Sequence, residues 1–241
     1  MKKIFFLILL ISTLISCNKD DNQVITEPEL TVIDIDGNVY QTITVGNQIW
    51  MLENLKTTTY NDGTPITQYE SNIHGNNWCP TGSMFNGEGF YQWAETNLDS
   101  SQFDEALPFD YFGAMYNHFA IESGKLAPEG WRIPTNQDFI ELENYLTNIG
   151  QSGTEGEALK TTTGWPEIIG NGTDAIGFRG LPNGYVNSVG GTIGGIICTW
   201  ATSDVNEENT YRTVINLFDS PTIIFENNAI QIGAGIRCIK E

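Results

Sequence analysis

The stretch that most restricts how this chain folds is Ala127-Pro128-Glu129-Gly130-Trp131-Arg132-Ile133-Pro134-Thr135. Pro134 holds Ile133 in an extended conformation, so a strand or loop has to end there. Thr135 then occupies a helix N-cap, and Asp138 is placed to reach back to it in a variant of the capping box. Phe139, Leu142, Leu146 and Ile149 follow on one helical face, and Gly150 ends the run. Trp131, beside this switch, reads as core. A second helix is expected over Phe112 to Ser123, stopping at Gly124.

The rest of the chain consists of short strands and turns. Leu30 to Ile35, Val39 to Val45 and Gln48 to Leu55 read as strands, separated by the turns Asp36-Gly37-Asn38 and Gly46-Asn47. From Thr57 to Asp110 loops dominate, with Trp78 and Trp93 as anchors. Later strands are expected at Cys198 to Thr202, Arg212 to Phe218, Thr222 to Phe225 and Ile230 to Ile239. Six tryptophans and an aromatic content of 11% provide for a sizeable core. No repeat or linker divides the chain. The expected class is α+β, a single domain over 30–241.

The N-terminus reads as an address. Lys2 and Lys3 precede an apolar run from Ile4 to Ile15, too short for the roughly 20 residues that span a bilayer. Leu14-Ile15-Ser16-Cys17 resembles a bacterial lipobox, which implies a signal peptide over 1–16, a lipid on Cys17 and a flexible tether over 17–29. The following Lys19, Asp20 and Asp21 resemble the tag that sends Bacteroidota lipoproteins outward. The expected location is the outer membrane, lipid-anchored and facing the exterior. Loss of Lys2 and Lys3 leaves nine basic residues against 30 acidic ones, a net −21 in place of −19. Such a surface repels phosphate backbones, so no nucleic-acid partner is expected.

Motifs for chemistry are sparse. His74 and His118 are the only histidines, and no CxxC pair occurs, so neither a metal site nor a cofactor is expected. There is no G-x-S-x-G elbow. Gly190 to Gly195 lacks the Lys-Ser/Thr of a phosphate loop and reads as a bulged glycine loop. With Cys17 assigned to lipid, Cys79, Cys198 and Cys238 leave one disulfide pair and one spare thiol.

An ordered set of motifs points to a family. Asp36-Gly37-Asn38-Val39-Tyr40 leads into Val45-Gly46-Asn47-Gln48-Ile49-Trp50-Met51 and Glu53-Asn54-Leu55, and the stretch around Trp131 follows. Then come Asn171-Gly172-Thr173-Asp174, Leu181-Pro182-Asn183-Gly184, Trp200-Ala201-Thr202 and Ile236-Arg237-Cys238. Together, from about Ile33 to Lys240, they resemble the Fibrobacter succinogenes major paralogous domain. The Arg-Ile-Pro-Thr and the late Arg-Cys are also similar to the C-type-lectin-like, sulfatase-modifying fold. That similarity implies small antiparallel sheets, two main helices and long loops. Family members commonly carry a cysteine where this chain has Ala127, bonded to the one near the C-terminus. With that partner missing, Cys198 becomes the expected substitute for bonding Cys238.

The resemblance implies a recognition surface on the late loops, with Tyr185, Asp204, Asn206, Asn209 and Tyr211 as candidate ligand contacts and Asn183 and Asn187 nearby. Trp200 reads as core. The lectin calcium signatures Glu-Pro-Asn and Trp-Asn-Asp are absent. The expected function is a non-catalytic surface module binding a glycan or a protein. A glycan-active enzyme with unrecognised carboxylates and a structural coat lipoprotein are the alternatives.

Overall fold

The computed structural model describes residues 31–76, 78–79, 87–94 and 110–241. Cys17, Lys19, Asp20 and Asp21, with the expected signal and tether, lie outside the described residues. The chain opens with β1 (Val32–Ile33), β2 (Val39–Tyr40), β3 (Thr42–Val45), β4 (Gln48–Met51) and β5 (Thr67–Gln68). Next come α1 (Ser71–His74), β6 (Phe90–Trp93), β7 (Ala114–Tyr116), α2 (His118–Glu122), β8 (Trp131–Arg132) and α3 (Asn136–Leu146). After α4 (Glu155–Leu159) and a stretch of turns the remaining elements are strands: β9 (Tyr185–Val186), β10 (Thr192–Ile193), β11 (Cys198–Val205) and β12 (Tyr211–Leu217). It closes with β13 (Ile224–Ala229), β14 (Ala234–Gly235) and β15 (Ile239–Lys240).

The strands form a seven-stranded sheet in the order β13-β12-β11-β14-β7-β6-β5, a four-stranded sheet β3-β4-β15-β8, and the pairs β1-β2 and β9-β10. Among the described strands, β11–β14 and β5–β6 pair in parallel and the other pairs are antiparallel. The C-terminus stitches the small sheet together, since Ile239 pairs with both Trp50 and Arg132. Sequence-distant strands therefore share one sheet, and the α+β class holds.

Helix α3 begins as its sequence dictates. Thr135 Oγ1 accepts the Asp138 amide at 3.2 Å, and the Asp138 carboxylate accepts the Thr135 amide at 2.6 Å, completing the capping box. Arg132 forks onto the same carboxylate at 2.6 and 2.8 Å. Burial alone would raise the Asp138 pKa, but the bonds from Arg132 and Thr135 outweigh it and hold it below the usual value. Phe139, Leu142 and Leu146 are fully buried, packed with Trp50, Phe178 and Trp200. Ile149 departs from expectation. The helix widens into a π turn over Thr147–Gln151, and Ile149 stands exposed.

The expected helix over Phe112 to Ser123 forms only in its second half, as α2 (His118–Glu122), while Ala114–Tyr116 is strand. Gly113 sits at φ 83, where a Cβ would lie 2.6 Å from the Asn54 Cβ, and the chain then pairs as β7. Asn117 ends that strand and caps the short α2, its Oδ1 accepting Ala120 N at 3.0 Å and Phe90 N at 2.9 Å. Local periodicity lost here to a strand-pairing partner 21 or more residues away, since Ala114 faces Trp93.

Candidate functional site

Strands β11 and β12 form the hairpin that carries most of the expected ligand contacts. They pair from Cys198–Leu217 to Val205–Arg212, with a bulge between Ala201 and Val205. Tyr211 opens β12 and is half exposed. Tyr185 lies elsewhere, because Gly184 bridges Cys198 at the other end of the hairpin. Six residue steps along β12 place the two ends roughly 20 Å apart. A single small ligand therefore does not span Tyr185 and Tyr211.

The polar groups of this loop hold the loop itself. Asp204 accepts the backbone amide of Asn136 at the first residue of α3. Asn206 Oδ1 accepts the amides of Thr210 and Tyr211, both at 2.8 Å, and its Nδ2 donates to Glu208 at 2.7 Å. Asn209 adopts a left-handed φ of 53, and its amide meets His118 Nε2 at 3.4 Å. Asn183 is buried and doubly bonded to the Thr199 backbone at 3.1 and 3.0 Å.

Beneath the hairpin lies a buried cation that the sequence did not advertise. Arg212 donates to Thr202 O at 2.6 Å, to Glu122 at 2.5 Å and to His118 Nδ1 at 3.0 Å. A guanidinium only donates, so Nδ1 of His118 is the acceptor in the pair with Arg212. Burial, then the Arg212 charge, lowers the His118 pKa against the opposing pull of Glu122. A second buried cation, Arg237, has its guanidinium 4.9 Å from the Phe178 ring centroid and 4.8 Å from that of Trp200. It donates to Asn54 Oδ1 at 3.1 Å and to the Phe178 carbonyl, and burial lowers its pKa to about 10.

The expected Cys198–Cys238 bridge is corrected: Cys79, Cys198 and Cys238 are free and buried. Cys198 packs in the cluster under α3 with Trp200 and Leu217, whereas Cys238 belongs to a different cluster that includes Ala127. Strand pairing of each residue fixes it in its own layer, Cys198 to Leu217 and Cys238 O to Met51 N at 3.0 Å. Burial pushes all three thiols up, Cys79 to about 11. Trp200, Trp131 and Trp78 are buried, as their reading as core or anchors requires.

Two openings matter. A groove of about 720 Å³ runs beside the turn before β8, lined by Asn61, Glu129, Trp131, Arg132, Ser203 and Glu241 among others. A cavity of about 300 Å³ lies on the side of Lys56, Asp110, Tyr111 and Arg179. Among the described residues, no three of His, Cys, Asp and Glu cluster as a metal set, and no helix is long and apolar enough to cross a membrane.

Small mixed sheets, short helices and solvent-facing openings define a compact α+β module. The chain belongs to the Fibrobacter succinogenes major domain family, whose model matches residues 43–240. No curated protein and no solved structure matches the chain.

Proposed function

We propose that this family member is a non-catalytic, lipid-anchored surface module with a C-type-lectin-like chain path that binds a glycan or a protein partner. The observation that carries the reading is the groove of about 720 Å³, whose lining mixes the Trp131 and Ile133 side chains with the polar Asn61, Glu129 and Ser203. Openings of that size with interspersed polar groups suit ligand recognition. The engagement of Asp204 and Asp138 in capping α3 favours binding over carboxylate catalysis at this end of the molecule. The anchor at Cys17 and the outward tag Lys19, Asp20 and Asp21 complete the proposal.

A glycan array and a cell-surface protein panel, with turnover assays on every hit, test it. Binding without turnover is the expected result. Hydrolysis of a bound glycan would overturn the non-catalytic reading, and silence on both panels would leave the structural coat as the function. For the anchor, Cys17→Ser is expected to abolish incorporation of labelled fatty acid. Undiminished label would overturn it.

A further inference from the structure

The cavity between the Lys56–Asp110 pair and Arg179 combines ion-pairing side chains with apolar walls around open volume. Its volume, about 300 Å³, is at the lower end for ligand pockets and suits one sugar ring, not a chain segment. The walls combine two leucines, Leu52 and Leu181, with the half-exposed ring of Tyr111. Lys56 Nζ lies 3.0 Å from Asp110 Oδ2, with both side chains about a quarter exposed. Behind the wall Asn54 is locked, its Nδ2 donating to Phe112 O at 2.9 Å and its Oδ1 accepting Trp200 Nε1 at 2.8 Å and Arg237.

Arg179 is the least expected part. Its φ of 58 is left-handed, a conformation that an L side chain with a Cβ adopts at a cost. Tertiary bonds hold it there: its amide donates to Asp174 Oδ1 at 2.8 Å, and its carbonyl accepts from Arg237 at 3.4 Å. The guanidinium commits NH1 to Gln41 at 3.0 Å, and Glu53 commits Oε2 to the Gln41 amide at 2.8 Å. A glycine would relieve the backbone, yet the chain keeps an arginine on the rim of a cavity.

We propose that this cavity is a subsite for one neutral sugar residue. Charge balance selects the class. The lining holds two cations, Lys56 and Arg179, and two carboxylates, Glu53 and Asp110. An anionic ligand meets the carboxylates and a cationic one meets Lys56 and Arg179, whereas a hydroxyl both donates and accepts and so matches either sign. The Tyr111 ring supplies the apolar face on which sugar C–H groups pack. This subsite is separate from the groove lined by Glu129 and Trp131, and neither depends on the other.

The test uses the full chain purified in detergent, titrated with the methyl glycosides of glucose, galactose, mannose and N-acetylglucosamine, and with methyl glucuronide. A neutral glycoside is expected to bind with millimolar Kd and the glucuronide at least tenfold more weakly. Arg179→Gly removes the guanidinium while suiting the left-handed backbone, so it is expected to lose affinity tenfold or more with no fall in the unfolding midpoint. Tyr111→Ala is expected to lose at least as much. No binding by any neutral glycoside, tighter binding of the glucuronide, or wild-type affinity in Arg179→Gly would each overturn the subsite. Array binding lost in Glu129→Arg but kept in Arg179→Gly separates failure of the subsite from failure of the groove.

Discussion

The Asp204–Tyr211 loop and the Lys56–Arg179 cavity contain the same kinds of residue, namely carboxylates, amides or cations beside a half-exposed tyrosine. In the loop, Asp204 caps α3, Asn206 ties two backbone amides, and Asn209 meets His118. In the cavity, Lys56 and Asp110 bond each other and Arg179 bonds Gln41, all through side chains lining or flanking open volume. The difference is where the hydrogen bonds go. Oxygens committed to backbone amides build a fold, because turning them to a ligand would release the amides that shape the loop. Side-chain pairs around a cavity can be rearranged at little cost.

That contrast can be broken in several ways. The largest effect is expected on the loop side. Arg212→Ala removes the donor to Thr202 O and opens a void, which should lower stability by about 3 kcal/mol in denaturant titration. Glu122 is 39% exposed along its side chain and can turn to water, so the lost ion pair is the smaller part. A loss below about 1 kcal/mol would show that the hairpin does not rest on Arg212. Asn206→Ala should cost less, about 1 kcal/mol, because the loop is solvent-facing. Hydrogen exchange at the Thr210 and Tyr211 amides should accelerate while neutral-sugar affinity stays unchanged. A fall in that affinity would erase the distinction between the two regions.

On the cavity side, Arg179→Gly is expected to leave stability unchanged or raise it by up to about 1 kcal/mol, strain relief being opposed by glycine's unfolded-state entropy. A clear destabilisation would mean that Arg179 is structural, like Asn206. The smallest effect is a slope with pH. His118 is held neutral by burial and by Arg212, so its folded pKa lies below the unfolded value near 6.5. The unfolded chain takes the proton first. Stability present above about pH 6.5 therefore declines as pH falls toward the lowered folded value. His118→Asn should flatten that decline between pH 8 and 5.5, and equal slopes in the two proteins would remove His118 as its source.

Several elements were legible because their causes are local. Thr135, Asp138 and the prolines before them set the start of α3, and Gly37-Asn38 and Gly46-Asn47 set the early turns. Ordered motifs carried the family, which the match over residues 43–240 bears out. The expected β12 agreed within a residue of Tyr211–Leu217. The misses were non-local. Ala114–Tyr116 looked helical until β6 and β14 claimed it from both sides. Cys198 and Cys238 looked like a pair until their strands placed them in separate clusters.

What the sequence determined by itself was therefore the start of α3, the early turns and the strands beside them, and strand β12, since capping, proline restriction and turn chemistry act within a few residues. Tertiary structure alone decided which polar residues are structural and which surround open space. Arg212 and Arg237 are ordinary surface-type residues in the sequence, yet both are buried, one bonded to Glu122 and the other held against the rings of Phe178 and Trp200. Lys56, Asp110 and Arg179 are separated by more than 50 residues at each step, and only the packing of β4, β7 and the approach to β9 brings them around one cavity. Whether a side chain meets backbone, ion or solvent depends on partners far along the chain, and no local pattern encodes that distance.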